Sequence, residues 1–223
     1  NVTMLLKRGI QVIGPETGEQ ACGDVGPGRL VAPEKIIGSL AKQFESRLLD
    51  DKTVVITAGP TVEAIDPVRF LSNHSSGKMG YALAQACAEA GARVILISGP
   101  VAIDPPPRLE LVPVKSAMEM LEAATLHAAG ADMFVGAAAV SDYRPSKFSS
   151  RKVKKSPGGA LKICLLENPD IIASIAAMSE RPKIIVGFAA ETHEVLQYAK
   201  AKRIEKGLDY IIANDIGRPE TTF

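Results

Sequence analysis

From Lys52 onward, short apolar runs rich in valine and isoleucine alternate with stretches of helical spacing, and this rhythm constrains the fold more than any other feature. The runs lie at 53–58, 93–97, 110–114, 132–138, 184–189 and 209–213, with helical patterns at 77–91, 116–129, 168–179 and 192–206. Apolar runs of this length with no polar alternation belong to strands buried on both faces, and intervening helices supply the covers. The expected fold class is α/β, a Rossmann-like doubly wound, mostly parallel sheet. In such sheets ligands bind beyond the carboxyl ends of the strands, so the loops after 58, 98, 138 and 189 are where chemistry is sought. The stretch LKICLLE at 161–167 follows a basic loop rather than a helix, and reads as a hairpin arm or edge strand. Asn168 and Pro169 read as N-cap and first residue of the next helix.

The segment ahead of this rhythm is different. Residues 14–30, GPETGEQACGDVGPGRL, hold five glycines and little periodicity, so 1–32 read as a loop or docking segment, with MLLKRGIQVIGP the tail of a helix and a strand. Residues 33–49 carry helical spacing behind a proline suited to a first turn. The opening Asn1–Val2–Thr3 and the unclosed end at Phe223 mark the expectation of a piece of a longer chain. With 223 residues at 46% hydrophobic content there is apolar surface for one full core. A net charge of +1 gives no broad basic field, which disfavours nucleic-acid and membrane-surface partners. The cysteines at 22, 87 and 164 are scattered and odd in number, which suits a reducing, cytoplasmic setting rather than a disulfide framework or structural zinc site. No apolar run approaches the length of about 18 residues needed to cross a bilayer.

Three loops stand out chemically. After the first strand run, TAGPTVEAIDPVRFLSNHSSGKMG makes a long excursion from Gly59 to Ser76 and returns to a helix start at Gly77, gathering Thr61, Asn73, Ser75 and Ser76. Unpaired N–H groups at a helix start receive anions. Neither a dinucleotide fingerprint nor a Walker A fits, because Ser72 and Met79 stand where the latter needs glycine and Ser/Thr. After the fourth run, GAAAVSDYRP bares the backbone at Gly136, Ala137 and Ala138 ahead of Asp142, which admits a planar ring to main-chain donors and acceptors; small residues at a packed crossing would look the same. Then Arg151, Lys152, Lys154 and Lys155 lie in a Ser/Gly/Pro setting, either a flap carrying cations to a polyphosphate or a solvated charge run. Third, VGFAAET ends a strand with Phe188, and the helix beyond sets Lys202 and Lys206 four residues apart on one face. His74, His127 and His193 form no metal-ligand spacing, and no nucleophile elbow is present.

Taken together in this order, the first loop, GAAAVSDYRP with its downstream KVKK, the ENPDI turn and VGFAAET closely resemble the phosphopantothenoylcysteine synthetase family, the ligase part of bacterial proteins that fuse it to a flavin-dependent decarboxylase. The resemblance covers roughly residues 37–223, the ligase domain with an incomplete C-terminus, and residues 1–36 resemble the end of the decarboxylase. It implies that the carboxylate of 4′-phosphopantothenate attacks the α-phosphate of CTP, and that cysteine then displaces CMP from the acyl-cytidylate. It further implies that Asn73 polarises the acyl carbonyl or orients cysteine, that Lys152 and Lys155 neutralise charge, and that Gly136, Ala137, Ala138, Asp142, the 170–173 turn (Asp170, Ile171, Ile172, Ala173), Phe188, Lys202 and Lys206 contact the nucleotide. Mg2+ is expected with the triphosphate, FMN with the absent decarboxylase portion, and Cys22 resembles that portion's proton donor. A homodimer through the 140–166 arm, in a larger oligomer with the decarboxylase, is the implied assembly. Two other readings stay open on the residues: a nicotinamide-dependent oxidoreductase, which would want an acid where the second strand ends in ISGP, and a non-catalytic nucleotide-binding domain.

Overall fold

The computed structural model describes residues 1–20, 23–41, 47–154, 159–191 and 194–215. The chain divides into two compact units, Asn1–Ser46 and Arg47–Phe223. Among the described residues no helix is long and apolar enough to cross a membrane.

The first unit is more regular than its glycine content led us to expect. Helix α1 (Val2–Lys7) precedes an antiparallel hairpin of β1 (Glu16–Glu19) and β2 (Val25–Arg29), and α2 (Pro33–Ala41) follows. The strand expected within Ile10–Pro15 does not form. Val31 is the unit's buried hydrophobic among the described residues, too little apolar burial to make a core.

In the second unit six strands form one wholly parallel sheet: β3 (Thr53–Ala58), β6 (Arg93–Ser98), β7 (Glu110–Pro113), β8 (Met133–Gly136), β11 (Ile184–Glu191) and β12 (Tyr210–Asp215). Their spatial order is β12-β11-β8-β3-β6-β7. Chain order and spatial order together give the dinucleotide-fold arrangement 3-2-1-4-5-6, with the winding direction reversing between β3 and β8. Strand parity separates two cores. Val55, Ile95, Ile97, Phe134 and Ile185 pack with α4 (Ala117–Ala128) and α5 (Ile171–Ala176), through Met120, Ala124 and Ile175. Val54, Ile56, Val94, Leu96 and Val135 pack instead with α3 (Lys78–Glu89), through Tyr81 and Ala84. Both faces are covered, which is why these strands carry no polar alternation. Helix α6 (Val195–Glu205) follows β11 and leads to β12.

Two small antiparallel hairpins stand outside the main sheet. β4 (Val62–Ala64) pairs with β5 (Phe70–Ser72) inside the excursion that reads from sequence as a loop. β9 (Tyr143–Pro145) pairs with β10 (Leu165–Glu167), so 161–167 contributes a hairpin arm, one of its two expected forms. The cap of α5 needs correction: Asp170, not Asn168, is the N-cap, and its side chain accepts from Ala173 N–H at 3.0 Å. Asn168 is buried and spent elsewhere. Its Nδ2 donates to Ser141 O at 2.8 Å, its Oδ1 accepts from Arg144 Nη1 at 2.9 Å, and its N–H donates to Asp142 O at 2.7 Å.

Candidate functional site

The site grows from the tips of β3 and β8. Beyond the sheet the two strands continue to bond: Ala139 N–H donates to Gly59 O at 2.9 Å, Thr61 N–H to Ala139 O at 3.3 Å, and Ser141 N–H to the Thr61 hydroxyl at 2.9 Å. Thr61 is fully buried, so its hydroxyl serves as a fixed acceptor. The excursion from Gly59 then returns to the same place. Ser72 Oγ donates to Thr61 O at 2.7 Å, and Asn73 Nδ2 donates to Val140 O at 2.9 Å. Asn73, exposed, thus stands against the loop that bears Asp142.

The start of α3 closes this corner. Gly77 is its N-cap in a left-handed conformation (φ 75°), and a Cβ there would come within 2.7 Å of Val101 Cγ1. Gly77 N–H and Lys78 N–H lean on the hydroxyls of Ser75 and Ser76 at 3.3 and 3.4 Å. Gly59, Thr61, Asn73, Ser75, Ser76 and Gly77, gathered on sequence, are therefore neighbours in space.

On the other side of β8 lies a pocket of about 240 Å³. Its floor is the backbone of β8 and β11 at Gly136 and Gly187, its walls include Ala138, Asp142, Asp170, Ile171, Ile172 and Phe188, and Lys202 and Lys206 from α6 border it. A Cβ on Gly136 would lie 2.8 Å from Ile172 Cδ1, so a larger residue there would push the end of the Ile172 side chain aside. The two lysines are held differently. Lys202 Nζ donates to Phe188 O at 3.0 Å, while Lys206 Nζ pairs with Asp170 Oδ2 at 2.6 Å. Burial pushes the Asp170 carboxyl up, but the Lys206 ammonium and the Ala173 N–H outweigh it and hold it below the ordinary aspartate range. Ala173 itself belongs to the first turn of α5, and Ala137 to the β8 tip, where its N–H donates to Thr57 O at 3.1 Å.

The basic segment is anchored to the first loop. Val153 N–H donates to Asp66 Oδ2 at 3.1 Å, and Val153 O accepts from Arg69 Nη2 at 2.7 Å. Lys152 and Lys154, on either side, are exposed. Lys155 and Cys22 lie outside the described residues. Asp66 was missed on sequence, although its spacing to Arg69 was legible as a local turn: its Oδ1 accepts from the N–H groups of Val68 and Arg69, both at 2.9 Å. At the second strand's tip, Ser98 is buried and its hydroxyl is engaged by Tyr81 OH at 3.1 Å and by Gly99 O at 2.8 Å, so serine and glycine stand where the oxidoreductase reading wants an acid.

Comparison with known proteins bears on this arrangement. The coenzyme A biosynthesis bifunctional protein CoaBC of Vibrio vulnificus strain YJ016 is 48% identical over 217 residues, 97% of this chain and 54% of that protein. Its counterpart in Escherichia coli K12 is 46% identical over 226 residues, 100% of this chain and 56% of that protein. The chain thus spans about half the length of the curated relatives it matches. The crystal structure of the C-terminal domain of a CoaBC protein is 44% identical, with a TM-score of 0.68 over 76% of this chain and 80% of that one. With residues 49–223 matching the family model as well, the chain belongs to the DNA/pantothenate metabolism flavoprotein C-terminal domain family.

Proposed function

We propose that this chain joins 4′-phosphopantothenate to L-cysteine at the expense of CTP, through an acyl-cytidylate, as a step in coenzyme A biosynthesis. One observation carries the reading: Asn73, from the loop after β3, donates to Val140 between the bared β8 tip and Asp142, beside the pocket bordered by Lys202 and Lys206. A carboxylate is a poor electrophile until it is joined to a leaving group. A carboxylate oxygen bonds to the α-phosphorus as pyrophosphate leaves; cysteine's ammonium gives one proton to solvent to free its lone pair, nitrogen bonds to the acyl carbon, and CMP leaves as nitrogen gives up a second proton to solvent or to the departing phosphate.

The chain's own part is positioning and charge. Lys202, Lys206 and the α3 start suit phosphate oxygens, Gly136, Ala137 and Ala138 offer main chain to the base, and the Asn73 amide suits the acyl oxygen. Holding two reactants in attack geometry is worth about 7–11 kcal/mol of barrier. Lys152, with Lys155, neutralises charge as the cytidylate forms. Mg2+ accompanies the triphosphate; among the described residues no three His, Cys, Asp or Glu side chains gather, so no protein ligand is assigned to it.

The relatives' bifunctional name supports a second activity in the parent chain; we read it as decarboxylation of the product with FMN, with residues 1–36 the end of that domain, Cys22 its proton donor, and 37–223 the ligase. A homodimer is proposed through the 140–166 arm, within a larger oligomer of the parent chain in the cytoplasm. The test is incubation with 4′-phosphopantothenate, CTP and Mg2+, with and without cysteine. Pyrophosphate that requires the acid, and CMP that requires cysteine, are expected; no acid-dependent pyrophosphate overturns the reading, and equal rates with ATP overturn the choice of CTP.

A further inference from the structure

Val153 is held on both its backbone groups by one distant loop, 87 residues away at Asp66 and 84 at Arg69. The Asp66 side chain is fully buried. A buried carboxylate is costly unless its lone pairs are filled, and here five N–H groups fill them. Oδ1 takes Val68 and Arg69 N–H; Oδ2 takes Arg69 Nε at 3.1 Å, Arg69 Nη2 at 2.5 Å and Val153 N–H at 3.1 Å. The Arg69 guanidinium beside it holds the Asp66 carboxyl well below the usual carboxylate range, so the group is an anion throughout the neutral range. Four of the five donors are local and would close the turn by themselves. The fifth belongs to the basic segment, and the guanidinium that pairs with Asp66 reaches the carbonyl of the same residue. Strand β5 runs directly from Arg69 towards Asn73. The grip therefore fixes where the segment between Lys152 and Lys154 lies relative to the strand that leads to Asn73.

We propose that Asp66 is a positioning residue, whose hold on the Val153 N–H sets the point beside the Asn73-bearing loop from which Lys152 leaves the backbone. What Lys152 does there rests on the ligase reading; the grip itself does not.

Two variants of the full chain test it. Asp66→Asn keeps the Oδ1 acceptor but removes the anion from Val153 and Arg69. Val153→Pro removes the same N–H from the other side and leaves the Asp66–Arg69 pair in place. A hydrogen bond to a charged group is strong enough that each variant should slow acid-dependent pyrophosphate release by about tenfold or more. On a Lys152→Gln background neither should slow it further, because the lysine they position is gone. Trypsin should cleave after Arg151 and Lys154, bonds both variants retain, about tenfold faster than in the parent. Rate losses that multiply with Lys152→Gln indicate general damage and overturn the proposal, as does unchanged tryptic cleavage. If the parent releases no pyrophosphate, the ligase reading fails while cleavage still decides the grip. Should Asp66→Asn fail to fold, Val153→Pro, at a half-buried position, carries both measurements.

Discussion

Asn73 uses its amide as a donor, and that decides what a substitution there does. Asp would place a carboxylate against Val140 O, where the amide now donates at 2.9 Å, and under the proposed ligase reading it would also repel an anionic intermediate. Asn73→Asp should slow breakdown of the acyl-cytidylate by about a hundredfold, the order found when one oxyanion donor is lost; equal single-turnover rates with the parent would remove the role. Asp170 gives a pH signature. Its folded pKa lies below the ordinary 3.8, so it stabilises the folded state above that value and the contribution disappears as pH falls through the folded pKa. Asp170→Asn keeps a capping side chain but loses the pair with Lys206. Its melting temperature should lie below the parent's at pH 7, and the gap should close as both are acidified below pH 3.8. A gap independent of pH would show that the pair contributes nothing.

At the scale of elements, the start of α3 depends on a backbone conformation that few residues adopt. Gly77→Ala puts a Cβ at φ 75° and within 2.7 Å of Val101 Cγ1, and should cost about 1–3 kcal/mol in denaturant unfolding. A midpoint unchanged from the parent would mean that the helix start can shift without loss. The four inner strands β3, β6, β8 and β11 were legible because burial leaves short, valine- and isoleucine-rich runs between stretches of helical spacing; the edge strands β7 and β12, largely exposed, were legible from their apolar runs and their place in the same alternation. Hairpin β4–β5 was not, since strands of three residues are too short for any period to show. The misplaced cap has a similar origin. Asn168 and Asp170 flank Pro169 and either is a good N-cap on propensity; what decides is that Asn168 is claimed by Ser141 and Arg144, contacts far away in the chain. Asp66 was overlooked for the same reason, because its fifth donor comes from Val153.

For the molecule as a whole, the arm of β9 and β10 leaves Tyr143, Phe148, Leu165 and Leu166 exposed at 53%, 60%, 43% and 48%. Apolar side chains grouped on a small hairpin are the usual mark of a contact surface. If the arm makes the proposed homodimer, Leu166→Lys should shift the sedimenting species towards monomer at micromolar concentration; a monomeric parent, or a variant as dimeric as the parent, would place the dimer surface elsewhere or dispense with it. The hydrogen bonds joining Gly59, Thr61, Ala139 and Ser141 have a consequence for inheritance. A hydroxyl in one loop meets the main chain of another, so Thr61→Val would strand the Ser141 N–H even though valine fits the space. Grafting in a first loop that lacks a hydroxyl at position 61 would break this joint, whereas the second loop contributes only main chain and can change its side chains without losing it.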